Sequence, residues 1–99
     1  MSRYYDRCGD TMSAEAWGMR FSDKDYQRVL RDEIEDVVVS TVWLGLDHSW
    51  GDGPPLIFET MIFGGEHDED RWRWSTEGAA RSAHHRIVAA LKAGDDPQV

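Results

Sequence analysis

Ninety-nine residues, 40% of them hydrophobic, describe one small domain with a single core. The only cysteine is Cys8, which excludes an internal disulfide and any cysteine-based zinc site built within one chain. A formal net charge of −8 excludes the broad basic footprint of a nucleic-acid binder, although Arg71, Arg73, Arg81 and Arg86 offer a small basic patch.

In chain order, Tyr4 and Tyr5 favour a strand, Cys8-Gly9-Asp10 offers a turn, and Thr11-Met12 returns, so the opening is read as a short hairpin. Ser13 is a good N-cap for a short helix through Trp17 to Arg20, with Trp17 and Phe21 four apart on one face. The next segment is ambiguous. Ser22 with Asp25 resembles a capping box, and Tyr26, Val29, Leu30 and Ile34 have helical spacing, yet the same residues alternate like a pleated edge strand. The reading adopted is one turn of helix at 23–26 and a strand at about 27–34, then a tight turn at Glu35-Asp36.

Residues 37–46, VVVSTVWLGL, are predicted as a central strand. Val38, Ser40, Val42, Leu44 and Leu46 take one face, and Val37, Val39, Thr41, Trp43 and Gly45 the other. The loop DHSWGDGPP follows, and LIFETMIF is predicted to return as an antiparallel strand. GGEHDED is an acidic turn, and RWRW a short strand with Trp72 and Trp74 toward the core. Ser75 is the expected cap of a last helix running to about Ala93 and closed by Gly94. Its stripe, Ala80, Ala83, His84, Ile87, Ala90 and Leu91, is expected to pack on the sheet.

Strands followed by a helix imply an α+β fold: an antiparallel sheet of three to four strands, the C-terminal helix on one face and a short N-terminal helix beside it. Residues 1–94 form the expected domain and 95–99 a frayed tail. Five tryptophans are hard to hide in one small core. Trp50, among Gly and Pro, is the expected surface tryptophan. An open face and free edges make a homodimer an expectation as well.

The charge is unevenly placed. From Asp32 to Asp70 the chain holds eleven carboxylates and no Lys or Arg, so the middle carries −11 and the flanks +3. Such a one-signed pattern attracts basic surfaces. The longest apolar run is about ten residues, against the ~20 a membrane-spanning helix needs. No basic-then-apolar leader opens the chain. These features and the cysteine usage give the expectation of a soluble, cytosolic protein.

VSTVWLGLDH (Val39 to His48) and PPLIFETMIFGG (Pro54 to Gly65) resemble a family of small proteins encoded by actinobacterial phages and prophages. YYDRCG, the Ser75-Thr76-Glu77 string before the last helix, and Ala80 followed by His84 extend the likeness over roughly Tyr4 to Leu91. Gly78 departs from the pattern, where a stronger helix former is expected. The resemblance implies an origin, a phage gene expressed in the cytoplasm of a host bacterium, and carries no activity.

Three constellations are candidates for function. Asp47, His48, Trp50 and Asp52 lie in a Gly-rich loop of the kind that often carries function. Glu66, Asp68, Glu69 and Asp70, beside His67, form an acidic turn without the spacing of a calcium loop. Glu59 sits mid-strand on a largely apolar face and needs a partner, with His84 the candidate for a structural polar pair. No phosphate-binding loop, dinucleotide fingerprint or metalloprotease motif is present. No metal or cofactor is therefore assigned.

The expected function is that of a non-catalytic accessory protein that engages a basic surface of a host or anti-phage defence component, through an acidic sheet and the 47–55 loop. A protein that sequesters a small molecule, a small enzyme using Asp47, His48 and Glu59 in acid–base roles, and a virion component remain the alternatives.

Overall fold

A computed structural model describes residues 3–47 and 53–97. The chain runs β1 (Tyr4–Tyr5), β2 (Thr11–Met12), α1 (Ala14–Phe21), α2 (Lys24–Gln27), β3 (Arg28–Ile34), β4 (Val37–Trp43), β5 (Phe58–Phe63), β6 (Arg71–Trp74) and α3 (Glu77–Ala93). β3 to β6 form one antiparallel sheet in sequential order, and β1 and β2 form a separate hairpin. The fold is α+β, with a four-stranded sheet. Among the described residues no helix is long and apolar enough to cross a membrane.

Alternation decides the faces. Val39, Thr41 and Trp43 of β4 stand opposite Ile62, Thr60 and Phe58 of β5, and all six are fully buried. α3 covers this face with Ala80, Ala83, His84, Ile87 and Val88, while Ala90 and Leu91 of the expected stripe are half-buried. Trp72 and Trp74 extend the same core from β6. The other face shows Val38, Val42, Met61 and Phe63, the last 47% exposed.

Several local details differ from the sequence reading. The caps fall one residue later than Ser22 and Ser75. Asp23 accepts from the amides of Asp25 and Tyr26, and Thr76 from that of Ala79 at 3.1 Å. The Asp23 carboxylate and the Thr76 hydroxyl, each on extended backbone directly before its helix, reach these orphan donors. Gly78 lies in the first turn of α3, where a Cβ would meet open space, so its cost is entropic only.

β4 ends at Trp43 rather than Leu46. Gly45 turns at φ +72°, and the amides of Leu44 and Gly45 both reach the Ile57 carbonyl. The Trp17 indole donates to Leu44 O at 2.9 Å and the Trp43 indole to Tyr5 O at 2.9 Å. These two bonds fasten α1 and the hairpin to the end of the sheet. A Cβ on Gly45 would lie 2.8 Å from the Trp17 ring, so only glycine fits under both indoles.

Residues 95–97, which the sequence reading places in a frayed tail, fold back. Asp95 N donates to Ala90 O at 2.9 Å, Asp96 meets His67 at 3.3 Å, and Pro97 is buried.

Candidate functional site

The topology sorts the carboxylates by end rather than by face. Sequential hairpins put the β3–β4 turn and the β5–β6 loop at the same end of the sheet. β6 then leads away from that end, and α3 runs back to it. Glu35 and Asp36, then Glu66, Asp68, Glu69 and Asp70, then Asp95 and Asp96, are thus drawn together from three separate chain segments. Two glycines let the turns close on each other. A Cβ on Gly64 would lie 2.6 Å from the Asp36 carbonyl oxygen, and one on Gly65 2.8 Å from Val37 Cγ2.

The acidic residues of this end have different duties. Asp68 accepts from the Gly64 amide at 2.7 Å and shapes the loop. His67 stands between Asp70 on Nδ1 and Asp96 on Nε2, each at 3.3 Å, and ties the loop to the segment after α3. Glu69 is held at φ +72° and Glu35 at φ +57°, both exposed. Asp95 and Asp96 follow the C-terminus of α3, where the helix dipole is negative and anions are disfavoured by ~0.3–1 kcal/mol each. This charge arrangement works against the fold and in favour of a cation.

At the centre lies a cavity of about 210 Å³. Its floor is Ile34, Val37, Ile62 and Leu91. Its polar wall is Glu35, Glu66, His67, Asp95 and Asp96, with no Lys or Arg. Among the described residues no three His, Cys, Asp or Glu converge as metal ligands do. An apolar floor under a carboxylate rim suits a cation with an apolar stem better than a bare metal ion.

Glu66, Asp68, Glu69 and Asp70, singled out from the sequence as binding residues, have Glu35, Asp36, Asp95 and Asp96 at the same end of the sheet, a neighbourhood the sequence reading did not foresee. The signal was present in the hairpin order, since alternate turns of a meander share an end. Asp47 lies at the opposite end, roughly 20 Å away by the ~3.3 Å rise of a six-residue strand. There it accepts from the Leu56 amide at 3.2 Å. His48, Trp50 and Asp52 lie outside the described residues.

The single acidic sheet is corrected. Asp32 points to the helix side, whereas Glu33 and Glu59 are paired on the open face with Arg31 at 2.7 Å and Arg73 at 3.1 Å. The carboxylates gather instead at the end of the sheet, where Arg71 opens β6 and Lys92 lies in the last turn of α3.

The Glu59–His84 pair is also corrected. α3 lies over the Thr41/Thr60 face, so His84 and Glu59 are on opposite sides of the sheet. Glu59 is paired instead with Arg73, its direct cross-strand neighbour. His84, fully buried, takes Thr41 Oγ1 at 2.7 Å on Nδ1 and Asp32 Oδ2 at 2.7 Å on Nε2. Thr41 Oγ1 meets Thr60 Oγ1 at 2.6 Å, and the Trp74 indole donates to Thr60 at 3.0 Å.

The direction of this chain follows from its ends. An ionised Asp32 only accepts, so Nε2 carries a proton, and an indole only donates. The one arrangement in which every donor is used runs Trp74 to Thr60 to Thr41 to His84 to Asp32. Thr41 and Thr60 are fully buried, so the chain holds the sheet to α3 and presents no nucleophile to solvent.

A second recess of about 310 Å³ opens beside α1, lined by Trp17, Phe21, Leu44, Leu46 and the Glu59–Arg73 pair. Its tryptophan is Trp17.

Comparison with protein-family models, with curated proteins and with solved structures finds no match. The reading of function therefore rests on the residues and their geometry.

Proposed function

We propose that the protein is a non-catalytic, phage-encoded accessory protein that binds a basic surface on a host or anti-phage defence component through the acidic end of its sheet. The observation that carries this reading is the gathering of eight carboxylates from three chain segments at one end of the sheet, where four of them, Glu35, Glu66, Asp95 and Asp96, line an apolar-floored cavity with no Lys or Arg among its described lining residues. The phage setting rests on the resemblance of Val39 to His48 and Pro54 to Gly65. Relative to the sequence reading, the binding surface moves from the sheet to its end, and Asp47, at the start of the 47–55 loop, lies at the opposite end of the sheet.

Exposed carboxylates steer association more than they add affinity, and their effect is screened within ~8 Å at physiological salt. The test is capture from host lysate on immobilised protein, washed at low and high salt. A stoichiometric protein that leaves as salt rises, and that a Glu35→Gln/Glu66→Gln/Glu69→Gln variant fails to hold, is the expected result. Capture that is indifferent both to salt and to these three changes overturns the reading.

A further inference from the structure

The acidic end is more specific than a charged patch, because its charges surround a hole of defined size and chemistry. At about 210 Å³ the cavity falls below the ~300–1,000 Å³ of sites that enclose drug-sized ligands. It matches one long side chain. Its depth is apolar: Ile62 is fully buried at the bottom, with Val37 and Leu91 beside it. Its lining is anionic, with Glu35 and Glu66 from the turns and Asp95 and Asp96 from the end of α3. The C-terminal carbonyls of α3 add negative potential next to Asp95 and Asp96.

We propose that this cavity is a socket for one arginine side chain of the basic protein partner, an assignment that rests on the function proposed above. The methylene stem of arginine covers the apolar floor while its charged head stays at the mouth. The guanidinium is a planar fork with five N–H donors, so it can serve more than one carboxylate of the rim at once. Lysine offers a more strongly hydrated point charge without that fixed planar fork. A free amino acid fits less well, because its α-carboxylate would stand among Glu35, Glu66, Asp95 and Asp96. No Lys or Arg is among the described lining residues; His67 holds Asp96 at 3.3 Å on Nε2, which leaves Glu35, Glu66 and Asp95 for the incoming head.

The test needs no knowledge of the partner. Nα-acetyl-arginine N-methylamide is titrated into the methyl-labelled protein, with the neutral citrulline and the lysine counterparts and free arginine as further arms. Saturable shifts centred on the Val37, Ile62 and Leu91 methyls are expected, with the arginine amide about tenfold tighter than citrulline and severalfold tighter than lysine or free arginine. Glu66→Gln with Asp95→Asn abolishes them, while Glu33→Gln, a change on the open face, leaves them intact.

Four results overturn the socket. These are no shifts at these methyls, equal binding of citrulline, equal binding of lysine, or shifts spread evenly over every acidic residue of the surface. Because the probe is a single residue, its failure leaves a salt-sensitive partner capture standing. A failed capture in turn removes the proposed function without altering what the titration reads.

Discussion

The imidazole of His84 and the carboxylate of Asp32 meet at 2.7 Å although 52 residues separate them, the ring fully buried and the Asp32 side chain 47% exposed. The pair is the solvent end of a hydrogen-bonded chain whose Thr41 and Thr60 are fully buried in the centre of the sheet, with the half-buried Trp74 at its other end. A polar line through a core is costly unless every member is satisfied, and here each link depends on the one before it.

Thr41→Val tests that dependence. Valine keeps the shape of Thr41 but leaves His84 Nδ1 without a donor and the Thr60 hydroxyl without an acceptor. A loss of at least ~1–3 kcal/mol in urea unfolding is expected, because buried polar groups are then stranded. Asp32→Asn retains an acceptor at a half-exposed site and should stay within ~1 kcal/mol of the parent. Equal losses for the two variants would refute the directional chain.

Glu77 gives a pH signature. Its carboxylate accepts from Arg7 Nε at 2.8 Å and Arg81 Nε at 2.9 Å. The hydrogen bond from Arg7, joined by that from Arg81 and by both charges, holds the acid below its ordinary value of 4.5 against the opposing effect of burial. Arg7 is raised in turn, first by its bond to Glu77. A carboxyl whose folded value is depressed adds stability above its unfolded value and loses it as pH falls through the folded one. Glu77→Gln is therefore expected to cost about 1 kcal/mol at pH 7, an upper figure for a pair in partial contact with water. The gap from the parent should close as pH drops below the carboxylate range. A gap that stays constant from pH 7 to pH 2 would contradict the assignment.

Gly64→Ala probes the closure of the acidic end. The residue sits at φ +91°, and a Cβ would press on the backbone carbonyl of Asp36. A cost of ~1–3 kcal/mol is expected from the strained backbone alone. Amide shifts should be confined to the β3–β4 turn and the β5–β6 loop. The control is Gly78→Ala in the first turn of α3, which has open space around it and should be neutral or stabilising by up to ~1 kcal/mol.

The sequence by itself determined much of the local structure. Tyr4-Tyr5 and Thr11-Met12 around Gly9, the cap at Ser13, the change from one helical turn to strand near residue 28, the two-sided apolar run of β4, and the αL glycine that ends α3 all follow from short-range rules. These are capping, β-branching, turn chemistry and two-residue alternation, and they act within a few residues. The same rules place Glu59 on a face and His84 on a stripe, but they do not say which face the helix covers. That choice requires the packed core, and it decided that Glu59 takes Arg73 while His84 takes Thr41 and Asp32. The eleven carboxylates between Asp32 and Asp70 read as one acidic run along the chain. Strand order and the return of α3 split that run, pairing Glu33 and Glu59 with arginines on the open face and gathering Glu35, Asp36 and the 66–70 loop with Asp95 and Asp96. Charge is a property of composition, but a field is a property of distance, and only the tertiary structure sets the distances.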